Sequence, residues 1–291
     1  MATNEQMIQA LLDGITPMNE MQKYFRILLY GEAGVGKTKS ATDLGDSVLY
    51  IEADPMGWVT LQNHPENAIK CDLMKYQGLS QLDALSLAFE RQEPKVMKYD
   101  TICIDTLSAI ASLDLDVVYN HRDHREIRDP AFGAPTQPDY GVNTHRVRTT
   151  IMRLLDQPIN IVITAHVRED TDQSTGVMIT RPSFTPQLRK DIERSMTLVG
   201  FMTAIEASKP DDPEAVYTRR MQVHPTRNIS AKSRIGGLPV ILTNPNLRDI
   251  IGDWVNRGYN LEDDMVVHPD RLGLKPEPPT TKKNEPTGLE I

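Results

Sequence analysis

A run of nine residues near the amino end constrains the fold of this chain more than any other feature. Its first eight residues follow the pattern GxxxxGK[ST]. An apolar run at residues 24–30 precedes it and a helical pattern at residues 37–44 follows it, so it lies between a predicted strand and a predicted helix. In that context the pattern predicts a phosphate-binding loop. The nine residues are Gly31, Glu32, Ala33, Gly34, Val35, Gly36, Lys37, Thr38 and Lys39.

Each residue type in this loop suits the binding of a nucleotide. Glycine lacks a Cβ, so Gly31, Gly34 and Gly36 permit backbone torsions and close approaches that let successive N–H groups point at phosphate oxygens. The helix that follows adds the positive end of its dipole. Lys37 is expected to place its ammonium against the β- and γ-phosphates, and the Thr38 hydroxyl is expected to ligate Mg²⁺.

A second metal ligand is expected at the end of another buried strand. Residues 101–104 are mostly apolar, and Asp105 follows them directly. A carboxylate in that position can bind Mg²⁺ or its water shell. The sequence therefore predicts that Thr38 and Asp105 together hold the metal.

The rest of the chain alternates between apolar runs and helical patterns. This alternation predicts an α/β fold with a mostly parallel central sheet that is flanked by helices. After about residue 196 the runs follow one another without long helices, which predicts antiparallel edge strands. The predicted strands cover residues 47–51, 68–74, 101–104, 159–164, 198–205, 216–223 and 239–242, and the predicted helices cover residues 37–44, 79–90, 107–119, 143–156 and 245–256.

Composition divides the chain into three parts. The pattern of residues 1–22 predicts an amino-terminal lead-in segment with a short helix at residues 5–12. Residues 23–258 are the predicted core. Residues 259–291 are a proline-rich, acidic tail that we expect to be flexible. Inside the core, residues 120–140 and 167–184 are polar and poor in pattern. We interpret both as long loops, which are usually functional or disordered in a compact domain.

Charge and hydropathy exclude several classes of protein. The net charge is −8, so any contact with nucleic acid must come from a local basic patch. No stretch approaches the roughly 20 unbroken apolar residues of a membrane helix, and the amino end carries acids and amides instead of the basic start of a signal peptide. These features predict a cytoplasmic protein with no membrane association.

Three more polar residues follow predicted strands. Glu52 and Asp54 come after the second strand, and strand alternation puts them on one face, so either carboxylate could align an attacking water beside the γ-phosphate. His166 follows the strand at residues 159–164. Glu52, Asp54 and His166 are therefore candidate catalytic residues, and the choice of base between the two acids stays open.

These motifs together resemble those of the phage-encoded RecA-like P-loop ATPases that act in single-strand annealing and recombination. The resemblance implies a RecA-like core that binds ATP and Mg²⁺ and hydrolyses ATP to ADP and phosphate, slowly or with DNA stimulation. In such proteins the second strand ends in Asp-x-Glu with the glutamate as base, whereas this chain has Glu52-x-Asp54. By the same resemblance, His166 matches the residue that senses the γ-phosphate.

The resemblance also implies contacts with other molecules. Lys232 and Arg234 are similar to a Lys-x-Arg-x-Gly element that reaches the nucleotide of the neighbouring subunit, so we expect catalytic roles for both in a ring or helical filament of identical chains. The second predicted loop, together with the residues that follow it up to 194, occupies the position of a DNA-binding loop. Its expected contacts with single-stranded DNA are Arg168, Arg181, Arg189 and Lys190.

The first predicted loop carries three arginines, Arg122, Arg125 and Arg128, which alternate with acids and so leave little net charge there.

The tail is expected to solubilise the chain, with a contact to a single-strand binding protein as the alternative. The expected function is thus ATP-dependent binding of single-stranded DNA in the host cytoplasm. The alternatives are a hexameric helicase, a packaging-type motor, or a nucleotide-gated assembly protein without a DNA role.

Overall fold

The computed structural model describes residues 3–13, 24–121, 134–171, 176–205 and 218–256. Ten strands in these ranges join into one sheet. They are β1 (Arg26–Gly31), β2 (Val48–Glu52), β3 (Cys71–Lys75), β4 (Thr101–Asp105), β5 (Asn160–Thr171), β6 (Met178–Pro182), β7 (Leu198–Ile205), β8 (Thr218–Gln222), β9 (Lys232–Ser233) and β10 (Ile241–Thr243).

Helices connect most of the strands. Those in the same ranges are α1 (Asn4–Asp13), α2 (Lys37–Thr42), α3 (Gly57–Gln62), α4 (Pro65–Ala68), α5 (Leu79–Glu90), α6 (Pro94–Met97), α7 (Leu107–Asn120), α8 (Gln137–Leu155), α9 (Pro186–Ser195) and α10 (Leu247–Asn256). Each of them is too short or too polar to cross a lipid bilayer.

The sheet has a parallel centre and antiparallel additions. Its order is β10-β8-β7-β1-β5-β4-β2-β3, and all pairs from β7 to β3 are parallel. Strand β8 pairs antiparallel with β7 and with β10, while β9 and β6 add antiparallel to β7 and β5. The prediction of a mostly parallel sheet flanked by helices, with antiparallel edge strands, is confirmed.

Apolar side chains cover both faces of the parallel strands. On one face, the strands pack against α5, α7, α8 and α9. On the other, which we call the α2 face, they pack against α2, α3 and α10. Because both faces are covered, β1, β2 and β4 are buried along almost their whole length, which accounts for their near-continuous apolar sequence.

The register brings the polar strand ends to one edge. Gly31 at the end of β1 pairs with His166 in β5, and Glu52 at the end of β2 pairs with Asp105 at the end of β4. Strand β5 lies between β1 and β4, so the strand before the phosphate-binding loop and the strand of Asp105 are not neighbours. In open parallel sheets ligands bind outside the carboxyl ends of the strands, which is the edge where these residues meet.

The prediction of a long loop at residues 167–184 is wrong. Strand β5 continues through His166 to Thr171 and forms an antiparallel hairpin with β6, and α9 begins shortly afterwards. The hairpin projects beyond the parallel sheet and carries charged side chains, such as Arg168 opposite Arg181, so the sequence lacks the apolar alternation of a half-buried strand.

Two other boundaries also differ from prediction. Helix α8 begins at Gln137, six residues before the predicted start, because the Asp139 carboxylate accepts hydrogen bonds from the Thr136 N–H at 2.6 Å and from its hydroxyl at 2.8 Å. Helix α4 occupies the beginning of the strand that was predicted from residue 68. The three arginines of the first predicted loop and the tail at residues 259–291 lie outside the described ranges.

Arg26 ties the start of β1 to the connection between α8 and β5. Its guanidinium donates hydrogen bonds to the carbonyl oxygens of Leu155 at 2.6 Å and Gln157 at 2.5 Å, and also to that of Ile159. Burial lowers the pKa of Arg26 to about 10. We expect Arg26→Ala to reduce the free energy of unfolding by about 2–3 kcal/mol, because it leaves buried carbonyls without donors.

Urea denaturation of the wild type and of this variant checks the expectation. Arg91→Ala is the matched control, because Arg91 lies on the surface after α5 and its loss should change the unfolding free energy by less than about 0.5 kcal/mol. Equal denaturation midpoints for Arg26→Ala and the control would contradict the role given to Arg26.

Candidate functional site

Lys37 lies inside the glycine-rich loop and binds its backbone. The side-chain ammonium donates hydrogen bonds to the carbonyl oxygens of Gly31 at 3.0 Å and Glu32 at 2.7 Å, and Lys37 is only 8% exposed. Burial lowers the pKa of Lys37, and the negative charges of Asp105, Glu32 and Asp54 oppose that effect. The ammonium therefore lies in a region of negative charge at the start of α2, where an incoming phosphate would meet it.

Two glycines of the loop are required by close approaches. A Cβ on Gly31 would overlap the carbonyl oxygen of Met202 in the neighbouring strand β7. Gly36 has a φ of 92°, in the left-handed region, and a Cβ there would overlap the side chain of Arg219. Gly36, the residue before α2, has no side chain that could accept hydrogen bonds from the first N–H groups of this helix.

The Asp105 carboxylate is the polar centre of the site. It accepts hydrogen bonds from the hydroxyls of Thr38 at 2.6 Å and Tyr50 at 2.7 Å on one oxygen, and from Thr164 on the other. Burial, with the Asp105 charge beside it, raises the pKa of Tyr50, so its phenol stays protonated and donates. Asp105 is itself 3% exposed, and these hydroxyls satisfy a carboxylate that would otherwise be costly to bury.

These oxygens fit Mg²⁺. Thr38 and Asp105, the two predicted metal ligands, lie within hydrogen-bonding distance and supply the hard oxygen donors that Mg²⁺ prefers. Within the described ranges no group of three or more histidine, cysteine, aspartate or glutamate side chains could hold a metal ion alone. The donor set thus suits a Mg²⁺ ion that keeps waters and shares phosphate oxygens with a nucleotide.

The two candidate bases have different surroundings. Asp54 is 41% exposed, and its carboxylate lies 3.3 Å from Nε2 of His166. Glu52 is 8% exposed, and its carboxylate accepts a 3.4 Å hydrogen bond from the backbone N–H of Trp58 in α3. The structure thus brings Asp54 and His166 together at the loop edge, while Glu52 is turned towards α3.

Ser108 fixes the main chain of His166. The Ser108 hydroxyl oxygen accepts a 3.1 Å hydrogen bond from the His166 N–H, and Ser108 lies in α7, just after Asp105 and Thr106. Thr106 caps α7 by accepting a hydrogen bond from the Ala109 N–H at 3.1 Å. Through these contacts the segment after Asp105 holds the polar end of β5.

Lys232 and Arg234 lie away from this edge. Lys232 pairs with Val199 near the start of β7, whereas the loop lies beside the later residue Met202. The Lys232 ammonium donates to the carbonyl oxygens of Glu193 and Arg194, each at 2.8 Å, and Arg234 donates to that of Arg194 at 2.9 Å. In this chain both residues bind the carboxyl end of α9, where positive charge is favourable.

Three of the four predicted DNA-binding residues surround one carboxylate. Asp170 in β5 lies 2.6 Å from Arg168, 3.6 Å from Arg189 and 4.0 Å from Arg181. Burial, together with the charge of Arg181, lowers the pKa of Arg189. We call Arg168, Asp170, Arg181 and Arg189 the arginine cluster. Lys190 is not part of it and lines a separate cavity of about 390 Å³ with Arg194 and Lys232.

Comparison with protein-family models places the sequence in a known family. Residues 23–235 match the model of the AAA domain, which is most of the chain. The chain belongs to the AAA domain family. This match, together with the α/β sheet and the loop before α2, identifies a P-loop ATPase-type domain. No curated protein matches the chain significantly.

The structure adds three residues to the AAA domain's site that the sequence analysis did not assign. Tyr50 and Thr164 donate to Asp105, and Arg219 lies against Gly36. Tyr50 lies two residues before Glu52 on the same face of β2, so alternation could have found it. The contact of Arg219 depends on the long-range pairing of β7 with β8, for which the sequence holds no local signal.

The contact between Thr38 and Asp105 generates a prediction about the metal. In the wild type we expect Mg²⁺ to strengthen binding of a nonhydrolysable ATP analogue, relative to binding in EDTA. In Thr38→Val we expect that gain to fall at least tenfold, because the variant keeps the side-chain volume but lacks the ligating oxygen. Fluorescence titrations with and without Mg²⁺ measure the gain.

Thr60→Val in α3 is the matched control, because it makes the same chemical change outside the loop. The control should keep the wild-type gain. An unchanged Mg²⁺ effect in Thr38→Val would show that Thr38 does not hold the metal.

Proposed function

We propose that this chain is a Mg²⁺-dependent ATPase of the RecA-like kind that phages use in recombination or single-strand annealing, and that nucleotide state controls its hold on single-stranded DNA. One observation carries the proposal. Strand β5 holds His166 beside Asp54 at the nucleotide edge and, a few residues further on, Arg168 and Asp170 of the arginine cluster. A single rigid element thus joins the expected γ-phosphate site to the expected DNA site.

The proposed hydrolysis relies mainly on positioning, as phosphoryl transfer does in general. Lys37 and the N–H groups of the loop bind the β- and γ-phosphates of ATP. Thr38 and Asp105 would hold Mg²⁺, which would supply positive charge to neutralise the phosphate oxygens. Tyr50 and Thr164 hold the Asp105 carboxylate in place, and Ser108 holds the main chain of His166.

Asp54 is the better candidate for the residue that orients the attacking water. Its carboxylate lies beside His166, and its charge acts on the Lys37 ammonium, so it is near the position of the γ-phosphate. Glu52 has no such contact with Lys37 or His166, and its oxygen accepts from Trp58. A water held by Asp54 can transfer its proton to that carboxylate as it attacks phosphorus.

The arginine cluster has the charge expected of a contact with single-stranded DNA. Three guanidinium groups and one carboxylate carry a formal charge of +2, in a protein whose net charge is −8. Arg168, at 54% exposed, is the member most open to a phosphate, whereas Arg189 is nearly buried and orients Asp170. His166 can pass a change at the γ-phosphate along β5 to this cluster.

Lys232 and Arg234 support assembly into a ring or filament. Because they lie near the start of β7, neither can reach the loop of its own chain. In an assembly of identical chains, the same residues can meet the nucleotide of a neighbour and neutralise charge in its transition state. This placement is compatible with the expected homo-oligomer.

The assignment of Asp54 predicts a difference between two acid variants. We expect Asp54→Asn to reduce kcat for ATP hydrolysis at least 100-fold while ATP binding persists, because the variant keeps the shape but not the proton acceptor. Glu52→Gln should lower kcat by less than about threefold. Phosphate release in the presence of DNA gives kcat, and fluorescence titration gives the affinity.

Lys37→Ala is the reference variant for this experiment, and we expect it to abolish ATP binding. A larger loss of kcat in Glu52→Gln than in Asp54→Asn would assign the base to Glu52. Wild-type protein without any ATP hydrolysis would contradict the ATPase proposal.

The arginine cluster generates a prediction about DNA. We expect labelled oligonucleotide to bind more tightly with a nonhydrolysable ATP analogue than with ADP or without nucleotide. In Arg168→Ala, the negative slope of log affinity against log salt should become shallower by about 0.7, which corresponds to the loss of one phosphate contact to a single strand. Filter binding across a salt series measures both quantities.

Arg91→Ala, an exposed arginine at the end of α5, is the matched control and should keep the wild-type slope. Absent binding would favour a nucleotide-gated assembly protein, and directional unwinding or translocation would favour a motor. Binding that ignores nucleotide state would contradict the proposed control.

A further inference from the structure

Arg219 lies against the phosphate-binding loop of its own chain. A Cβ on Gly36 would overlap Nε of Arg219 and would lie 2.9 Å from its Cδ and 3.1 Å from its Cζ. The Arg219 side chain therefore occupies the space beside Gly36 that any other residue would fill. Gly36 precedes Lys37, whose ammonium is expected to meet the nucleotide.

The register of β8 directs Arg219 to this position. Arg219 pairs with Ala204 near the end of β7, the strand that lies beside β1. Met221, two residues later, is buried on the α2 face, so alternation puts Arg219 on the same face as the loop. Arg220 lies on the other face and is exposed.

The backbone of Arg219 is held firmly. Its N–H donates to the side-chain oxygen of Asn244 at 2.9 Å, and its carbonyl oxygen accepts from the Asn244 N–H at 2.7 Å. This reciprocal pair joins β8 to the end of β10. These bonds fix the Cα of Arg219, so its side chain starts from a defined position beside the loop.

The guanidinium of Arg219 has no hydrogen-bond or ion-pair partner among the residues that the structure describes, and the residue as a whole is partly buried. Several other arginines in these ranges that are not fully exposed do have such partners. The Arg146 guanidinium forms an ion pair with Asp114 at 2.8 Å, and that of Arg248 donates to the Gly45 carbonyl oxygen at 2.7 Å. An unpaired guanidinium beside a glycine-rich loop, on a partly buried residue, is suited to an anion that arrives from outside the chain.

We propose that Arg219 binds a phosphate group of the nucleotide from within the same chain, as a second cationic contact besides Lys37. This inference rests on the proposed function and deepens it. The guanidinium presents a planar fork that can donate two parallel hydrogen bonds to phosphate oxygens, which an ammonium cannot do. Since the contact comes from the same chain, a single subunit would already hold the triphosphate with two cations.

Equilibrium titrations with a fluorescent ATP analogue and with inorganic tripolyphosphate test this assignment. Tripolyphosphate has no base or ribose, so it isolates contacts with phosphate. We expect Arg219→Ala to weaken the binding of both ligands at least tenfold, and Arg219→Lys to recover part of the loss. The matched control, Arg220→Ala, removes the same charge from the opposite face of β8 and should bind both ligands as the wild type does.

Each outcome decides a different point. Binding by Arg219→Ala within twofold of the wild type for both ligands would overturn the inference while leaving the proposed function intact. A loss for the ATP analogue but not for tripolyphosphate would place Arg219 at the base or ribose and overturn the phosphate contact. Wild-type protein that binds neither ligand would overturn the proposed function itself. Arg219→Gln, which keeps most of the side-chain volume, replaces Arg219→Ala if circular dichroism shows that the alanine variant is unfolded.

Discussion

The buried carboxylate of Asp105 is the interaction on which the rest of the site depends. Its hydroxyl partners come from three elements: Thr38 from α2, Tyr50 from β2 and Thr164 from β5. A buried carboxylate without such donors would cost several kcal/mol, so the sheet can place an acid here only where hydroxyls converge. The same contacts fix α2, and with it the glycine-rich loop, relative to the strands that carry the other polar residues.

Strand β5 is the element through which the nucleotide edge and the outer surface are connected. It lies between β1 and β4, and it extends beyond both as one arm of the hairpin with β6. His166 is at the point where β5 leaves the sheet, held by Ser108 and facing Asp54. A ligand shifts a conformational equilibrium only as far as it binds the two states differently. A signal that passes through His166 to the hairpin therefore requires that His166 interact differently with ATP and with ADP.

The sequence predicts the features that depend on local pattern and misses those that depend on register. The loop, the parallel sheet, α5 and β7 follow from glycine spacing, apolar runs and helical periodicity, and the family match agrees with the P-loop fold. The hairpin was missed because charged pairs such as Arg168 and Arg181 hide the alternation of its strands. Arg219 and Thr164 reach the site only through pairing between distant strands, and no motif marks a residue whose role depends on such pairing.

The reversed order of the two acids has a structural explanation. The main chain after β2 lies close to β4, because the N–H groups of Ala53 and Asp54 both donate hydrogen bonds to the carbonyl oxygen of Asp105, at 2.8 Å and 3.0 Å. This brings the backbone of residue 54 close to the end of β4, so a short aspartate side chain there still reaches His166. A glutamate at residue 54 would extend one methylene further, while Glu52, on the strand itself, has its longer side chain against α3. A short carboxylate at residue 54 thus matches the position of the backbone, which is the physical basis for proposing that Asp54 orients water although the order of the acids differs from Asp-x-Glu.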